Sequence, residues 1–193
     1  MRAKALLAGT NRFNPSVRPS QWLECAIFCV YNKKMAMKNR LTQFFNRPPV
    51  LRHVMNWYGP YRGAGVKIKH LADDFTSATV VMPLRWYNRN YVGTHFGGSL
   101  YSMVDPFHML LIMNQLGKDY IVWDKAAHIE FISPGTGTVT AHFEVTTAQI
   151  EDIKRKTADG NKYLPEFEVE VVGEDGKLVA KAIKTLYIRK KSR

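Results

Sequence analysis

A single carboxylate, Asp105, lies within the most apolar long segment of the sequence, residues 98–116. An ionised carboxylate in apolar surroundings costs free energy unless an opposite charge or a hydrogen-bond donor compensates it. A carboxylate kept in such a place is a candidate general base or nucleophile, because perturbed acids cluster where chemistry is done. The alternative is a structural aspartate that closes a loop or pairs with Arg85, Arg89 or His108.

Two consecutive glycines, Gly97 and Gly98, open the same segment. The first N–H groups of a helix have no partner inside it and carry the positive end of its dipole, so they could hold an anion or a developing oxyanion. From Gly98 to Asp105 the separation along a helix axis is about 10 Å, which is too far for one carbonyl group. Two copies packed antiparallel along this helix could instead bring Asp105 of one chain to Gly98 of the other.

Apolar residues at helical spacing predict one buried helix over residues 98–116. Its polar residues Ser102, Asp105 and His108 are spaced by threes and should lie near one face. Pro106 should kink or loosen the helix, because proline has no N–H and its ring crowds the carbonyl of Ser102. Such a kink would turn the carboxylate and the freed carbonyl toward a cavity.

The remaining segments predict the sheet around this helix. Alternating apolar residues favour about six strands, joined by Gly-containing and Pro-containing turns, at residues 66–70, 75–84, 120–132, 138–145, 166–172 and 177–188. A short helix over 51–58 should stop at Gly59 and Pro60, and a charged helix over 147–158 should lie on the surface. Only the central helix can cover the sheet, so we predict an α+β protein with an antiparallel sheet wrapped around one long helix, the hotdog fold.

The N-terminal quarter differs in charge from the rest. Residues 1–50 contain nine Lys and Arg against one acidic residue, whereas residues 51–193 contain nineteen against fifteen, so most of the net charge of +12 lies at the start. Residues 1–34 show no helical or strand period, and we interpret them as a basic extension that is disordered or precedes the true start of the chain. A single domain is expected over 35–193.

Several classes of function are disfavoured by composition. Cys25 and Cys29 lack further ligands at metal spacing, so no metal site is predicted. The apolar stretch over 22–30 is too short to span a membrane and no secretory signal is evident, so a cytoplasmic location is expected. Lys and Glu alternate in the strands after residue 62, which argues against nucleic-acid binding.

The spacing of Asn90, Gly97-Gly98 and Asp105 in NYVGTHFGGSLYSMVDP resembles the motif of the PaaI-like hotdog thioesterases. Together with WDKAAHIEFISPG it is similar to an uncharacterised bacterial branch of that superfamily, over residues 51–190. The resemblance implies that Asp105 activates water, or attacks directly, at an acyl thioester. It implies that Gly98, with Gly97, donates N–H groups to the oxyanion and that Asn90 positions the thioester or the water.

The same resemblance implies the partners of the chain. The substrate would be an acyl group on coenzyme A or acyl carrier protein, with no cofactor beyond the coenzyme A of the substrate. It would enter at the interface of a homodimer, which could pair further into a tetramer. Arg85 and Arg89, with Lys125 or Arg62, would meet the phosphates, and Ser102 would lie beside the bound substrate.

One position departs from the family pattern. Phe96 stands where the family has a histidine, and the nearest imidazole, His95, comes one residue early. A one-residue shift in an extended loop points a side chain the opposite way, so His95 could polarise the substrate only if the loop is bulged. Two alternatives therefore stay open: an acyl-binding protein without catalysis, which Phe96 favours, and a hotdog dehydratase, whose loop histidine lies farther from its helix carboxylate.

Overall fold

A computed structural model describes residues 47–192 of the chain, so the predicted extension over 1–34 and both cysteines lie outside the described residues. The described part contains five helices and seven strands. In chain order they are α1 (Pro48–Trp57), α2 (Gly59–Ala64), β1 (Lys67–Leu71), β2 (Ser77–Pro83), α3 (Gly97–Val104), α4 (Phe107–Leu116), β3 (Tyr120–Phe131), β4 (Thr138–Glu144), α5 (Thr147–Lys156), β5 (Lys162–Tyr163), β6 (Glu166–Gly173) and β7 (Leu178–Lys190).

The strands form one antiparallel sheet in the order β1-β2-β4-β6-β7-β3, and the two-residue β5 pairs with β7. All six predicted strands are present, and the seventh, β5, is too short to leave a period in the sequence. Among the described strands, β1 and β3 are the edges. The edge strand β3 is twelve residues long and mostly exposed, because it has a neighbour, β7, on one side only.

The core lies between this sheet and the helical segment α3–α4. Alternate residues of β2, β4, β6 and β7 are buried, as period-two side-chain alternation requires. The helical segment packs its apolar residues against them, including Met103, Val104, Phe107, Leu111 and Ile112, all fully buried. The structure thus confirms an α+β protein with its sheet wrapped around the central helical segment.

The helices differ from the prediction at two prolines, Pro106 and Pro60. The predicted helix over 98–116 is two helices, because α3 ends at Val104 and Asp105 and Pro106 leave the helical conformation before α4 begins. The missing N–H of proline and the crowding by its ring therefore break the helix rather than kink it. The helix predicted over 51–58 ends as expected before Gly59, since α1 stops at Trp57 and Tyr58 is extended. Gly59 and Pro60 then begin α2, which was not predicted, and Pro60 lies in its first turn, where an N–H would have no intrahelical partner.

Candidate active site

The carboxylate of Asp105 lies directly after α3 and contacts a buried lysine of β7. The Lys184 Nζ is 2.5 Å from Oδ1 of Asp105 and 3.2 Å from Oδ1 of Asp124 on β3. The Lys184 side chain is 1% exposed, whereas Asp105 is 41% exposed and Asp124 20%. Lys184 therefore compensates Asp105 within one chain, and the predicted alternative of a pair with Arg85, Arg89 or His108 was wrong about the partner.

The charges in this cluster influence one another. Burial alone would lower the pKa of Lys184, but its hydrogen bond with Asp105 and the negative charges of Asp124 and Asp105 outweigh burial and raise it. Burial raises the pKa of Asp124, the charge of Asp105 raises it further, and Lys184 opposes both. When all three are ionised, two carboxylates share one ammonium group, so the cluster carries a net negative charge.

Two tyrosines complete the surroundings of Asp105. The Tyr61 hydroxyl on α2 donates a 2.6 Å hydrogen bond to the backbone carbonyl of Asp105, and its ring stacks on Phe107. Burial and then the charge of Asp105 raise the pKa of Tyr61, so its hydroxyl stays a donor. The Tyr101 hydroxyl lies 3.5 Å from the Lys184 Nζ. The backbone and side chain of Asp105 are thus held by different elements.

The other end of α3 presents backbone donors. Among residues 47–192, no acceptor receives the N–H of Gly97 or Gly98, since the helical hydrogen bonds begin with Ser99 and Leu100 donating to the Phe96 carbonyl. A Cβ on Gly98 would collide with the Phe96 ring, and one on Gly97 would lie 2.9 Å from the Phe131 ring. Aromatic rings therefore lie close against both glycines. Eight helical residues separate this end from Asp105, or about 12 Å.

A groove of about 480 Å³ opens beside this end of α3. Its lining joins the loop before α3 to the connection after β3, through Asn90, Thr94, Gly97, Leu100 and Phe131 among others. Apolar walls with a few polar groups are typical of small-molecule sites. The groove offers room for a bound group beside Gly97.

Asn90 is engaged within its own loop. Its Nδ2 donates to the Thr94 hydroxyl at 2.9 Å and to the His95 carbonyl at 3.2 Å, while its Oδ1 accepts from the Thr94 N–H at 3.0 Å. These bonds hold the chain that leads to the helix N-terminus. Direct contact between Asn90 and a substrate stays a prediction.

His95 and Phe96 point in opposite directions, as expected for neighbours in an extended segment. His95 is buried, with its Nε2 3.0 Å from the Gly137 carbonyl, which as an acceptor requires the proton on Nε2. Burial lowers the pKa of His95, and the bond to Gly137 only partly opposes this. Phe96 is 55% exposed and lies over Gly98. The imidazole therefore stabilises the loop through its bond to Gly137. Contact between His95 and the substrate stays a prediction.

The other predicted site residues lie apart from the carboxylate cluster. The Ser102 hydroxyl donates to the Gly98 carbonyl at 2.8 Å, within α3. The predicted face shared by Ser102, Asp105 and His108 does not form, because the helix break places His108 in the core against Phe143 and Phe167. Burial and then the charge of Lys184 lower the pKa of His108 to about 4, so it is neutral at pH 7.

Arg85 and Arg89 are exposed on the loop between β2 and α3. This loop is organised by Asn88, which sequence reasoning missed. The buried Asn88 side chain accepts from the Arg85 N–H at 2.6 Å and donates to the carbonyls of Ala64 at 3.0 Å and Pro83 at 3.1 Å. Contact between the two arginines and phosphates stays a prediction.

Sequence reasoning also missed Lys184 and Asp124, although one signal for Lys184 was present. Along β7 the buried face carries Ala180, Ala182, Lys184, Leu186 and Ile188 at alternate positions. A lysine in register with apolar residues is costly unless an acid meets it. That pattern could have identified Lys184, but only the sheet shows which acids meet it.

Comparison with known proteins places the chain in a family. The model of a domain of unknown function, DUF4442, matches residues 49–188, and the chain belongs to that family. Its fold is the hotdog fold, as the solved structures below show. A search of the curated proteins found no match.

Several solved structures have the same fold at low sequence identity. A protein of unknown function from Pseudomonas aeruginosa, described as a probable thioesterase, matches with a TM-score of 0.66 at 17% identity, over 72% of this chain and 93% of that one. A thioesterase from Haemophilus influenzae matches with a TM-score of 0.55 at 14% identity, over 74% and 90%. The PaaI protein of the E. coli phenylacetic acid degradation operon matches with a TM-score of 0.51 at 20% identity, over 72% and 90%. The resemblance stated from the sequence is thus confirmed at the level of fold and family.

Two features are absent from residues 47–192. They contain no cluster of three or more His, Cys, Asp or Glu side chains that could hold a metal ion. None of their helices is both long and apolar enough to cross a membrane.

Proposed function

We propose that the chain hydrolyses acyl thioesters of coenzyme A or acyl carrier protein at a site shared between two copies. The observation that carries this proposal is the half-exposed carboxylate of Asp105, held at one end of α3, with unpartnered N–H groups at the other end. The similarity of the fold to thioesterases supports the same class of reaction.

In the proposed reaction, Asp105 takes a proton from water as the water oxygen attacks the thioester carbon. The carbonyl oxygen becomes an oxyanion that the N–H groups of Gly98 and Gly97 stabilise, a contact typically worth about 3–4 kcal/mol. The C–S bond then breaks and the thiolate leaves with a proton. Direct attack by Asp105 would give an anhydride that water hydrolyses to the same products.

The length of α3 favours two copies, because the two ends of one helix are too far apart to contact the same thioester. The long edge strand β3 supports this, because two β3 strands could pair antiparallel about a two-fold axis and continue the sheet. That arrangement would set the two α3 helices side by side in opposite directions. Dimers could pair further into tetramers.

We propose a position for the substrate from the groove beside Gly97 and the loop before α3. The acyl or pantetheine chain would occupy the groove beside Gly97, and Arg85 and Arg89 would meet the coenzyme A phosphates. No cofactor is proposed beyond the coenzyme A of the substrate, and neither a nucleic-acid partner nor a membrane span is proposed. The cytoplasmic location stays a prediction from the sequence.

A second candidate function is acyl binding without catalysis. Its support is Phe96, which covers Gly98 where the family has an imidazole. The dehydratase alternative is weaker, because His95 is bonded to Gly137 rather than directed at the carboxylate of its own chain.

The test is hydrolysis of a panel of acyl-CoA and acyl carrier protein thioesters by the wild type and Asp105→Asn. Loss of a general base should lower kcat about 10²–10⁴-fold. Asp175→Asn is the matched control, since Asp175 also pairs with a lysine, at 2.9 Å, but on an exposed turn. Equal rates for the wild type and Asp105→Asn would overturn the role of Asp105.

The oligomeric state and binding give two further outcomes. Acyl-CoA binding in calorimetry without any hydrolysis would replace the enzyme by the binding protein. A wild-type monomer in sedimentation at micromolar concentration, if still active, would contradict the shared site.

A further inference from the structure

The two oxygens of the Asp105 carboxylate are in different surroundings. Oδ1 accepts from Lys184 at 2.5 Å, and the hydrogen bonds of the described residues engage no further atom of this side chain. The backbone carbonyl of the same residue accepts from Tyr61. The carboxylate is therefore anchored at one oxygen and at the main chain, which leaves the second oxygen for a reacting water or thioester.

Lys184 is itself shared. Its ammonium group lies between Asp105 and Asp124, both within ion-pair distance, and its side chain is almost completely buried. A lysine paired with Asp105 alone would neutralise that carboxylate and weaken it as a base. With Asp124 competing for the same ammonium group, part of the negative charge remains on Asp105.

We propose that Lys184 and Asp124 are positioning residues for the reaction at Asp105. Lys184 fixes Oδ1 and directs the second oxygen into the site, and Asp124 draws on the lysine charge so that Asp105 keeps its basicity. The inference rests on the proposed function and deepens it, because it names what makes this carboxylate a base.

Other titratable groups around the cluster come from three further elements. They are Tyr61 on α2, Tyr101 on α3 and His108 on α4. The two tyrosines contact the cluster through their hydroxyl groups. Buried His108 is neutral above about pH 4. His108 therefore adds no charge to the cluster at pH 7.

The first test does not depend on activity. Carboxyl-carbon NMR follows the pKa of Asp124 in the wild type, Lys184→Met and Asp105→Asn. We expect this pKa to rise by about one unit or more in Lys184→Met, which loses the opposing cation, and to fall in Asp105→Asn, which loses the neighbouring anion. Lys181→Met is the matched control, because Lys181 is on the same strand but pairs with exposed Glu168 at 2.7 Å. An Asp124 pKa unmoved in both cluster variants would overturn the proposal.

The second test is the pH profile of thioester hydrolysis. In Lys184→Met we expect a kcat about 10²-fold lower with KM little changed, since the reacting oxygen is no longer held in place. The pH of half-maximal kcat/KM on the acid side should rise in Lys184→Met, fall in Asp124→Asn, and stay at the wild-type value in Lys181→Met. Lys184→Arg, which keeps the charge, should recover part of kcat.

A purely structural salt bridge would lower thermal stability in these variants and leave the acid midpoint unmoved, which would overturn the proposal. If Lys184→Met does not fold, Asp124→Asn decides, because its amide has the shape of the carboxylate it replaces. If the wild type hydrolyses no thioester, the proposed function fails, and the proposed positioning role of Lys184 fails with it. If the wild type is active but neither midpoint moves, only this inference fails.

Discussion

The two ends of α3 are held in place in different ways. At the carboxylate end, Asp105 is bonded to Tyr61, 44 residues away in sequence, and to Lys184, 79 residues away. At the glycine end, Asn90 is bonded to Thr94 and His95, four and five residues away. The carboxylate end thus depends on residues of α2 and β7 that are distant in sequence, whereas the glycine end depends largely on its own loop.

This difference has an energetic consequence. The carboxylate end contains buried charges whose removal leaves other charges unpaired, so single substitutions there should be costly. The glycine end contains neutral hydrogen bonds, each worth less. Four substitutions would break or sharpen this contrast, from the largest expected effect to the smallest.

Lys184→Met should cost about 3–5 kcal/mol of unfolding free energy at pH 7, because it leaves two carboxylates facing each other without a cation. Urea unfolding measures this cost. Lys181→Met, which breaks an exposed pair, should cost about 0–1 kcal/mol. Equal losses of unfolding free energy in the two variants would show that burial does not make the ion pairs of Lys184 more costly to break.

His108 should make stability depend on pH. Its pKa in the folded chain is about 4, below the value of about 6.5 in an unfolded chain. The unfolded state therefore binds more protons between these values, and stability present above pH 6.5 is lost as pH falls toward 4. The loss from this group should be about 3 kcal/mol.

The measurement is urea unfolding of wild type and His108→Leu at a series of pH values from 7 to 4. The leucine variant should lose less stability over this range than the wild type. His128→Leu is the control, since His128 is exposed and paired with Glu130 on the surface. Parallel curves for the wild type and His108→Leu would contradict the buried neutral histidine.

Asn88→Ala tests the glycine end. It leaves the Arg85 N–H and the carbonyls of Ala64 and Pro83 without this partner, at a cost of about 2 kcal/mol. Chemical denaturation gives the stability, and kcat/KM should fall because the loop before Gly97 loosens. A stability loss as large as that of Lys184→Met would remove the contrast between the two ends.

Tyr61→Phe should have the smallest effect, about 1 kcal/mol, since it removes one neutral hydrogen bond and keeps the ring on Phe107. Thermal unfolding detects it, and kcat should fall modestly because the Asp105 main chain is less firmly held. Tyr163→Phe, at an exposed hydroxyl, is the control. An unchanged kcat would show that Lys184 alone suffices to hold Asp105.

Sequence reasoning reached most of the fold because the strands and helices have clear periods. The alternating residues of β2, β6 and β7 and the apolar content of residues 98–116 gave the sheet and its covering helices. The helix that begins at Gly59 and the complete break at Pro106 were not predicted, because proline both begins and breaks helices and the sequence does not say which. The bonds of Asn90 at the glycine end were within reach because they are local, whereas Asn88 and His95 also bond to Ala64 and Gly137, 24 and 42 residues away.

The sequence by itself determined the hotdog architecture and the glycine start of α3, because periodicity, glycine and motif spacing are local properties of the chain. Only the tertiary structure decided what meets Asp105. The antiparallel pairing of β3 with β7 brings Asp124 and Lys184 to the same part of the sheet, beside the carboxylate that the helix break releases. Such a contact joins residues 79 apart, so no spacing within the chain encodes it.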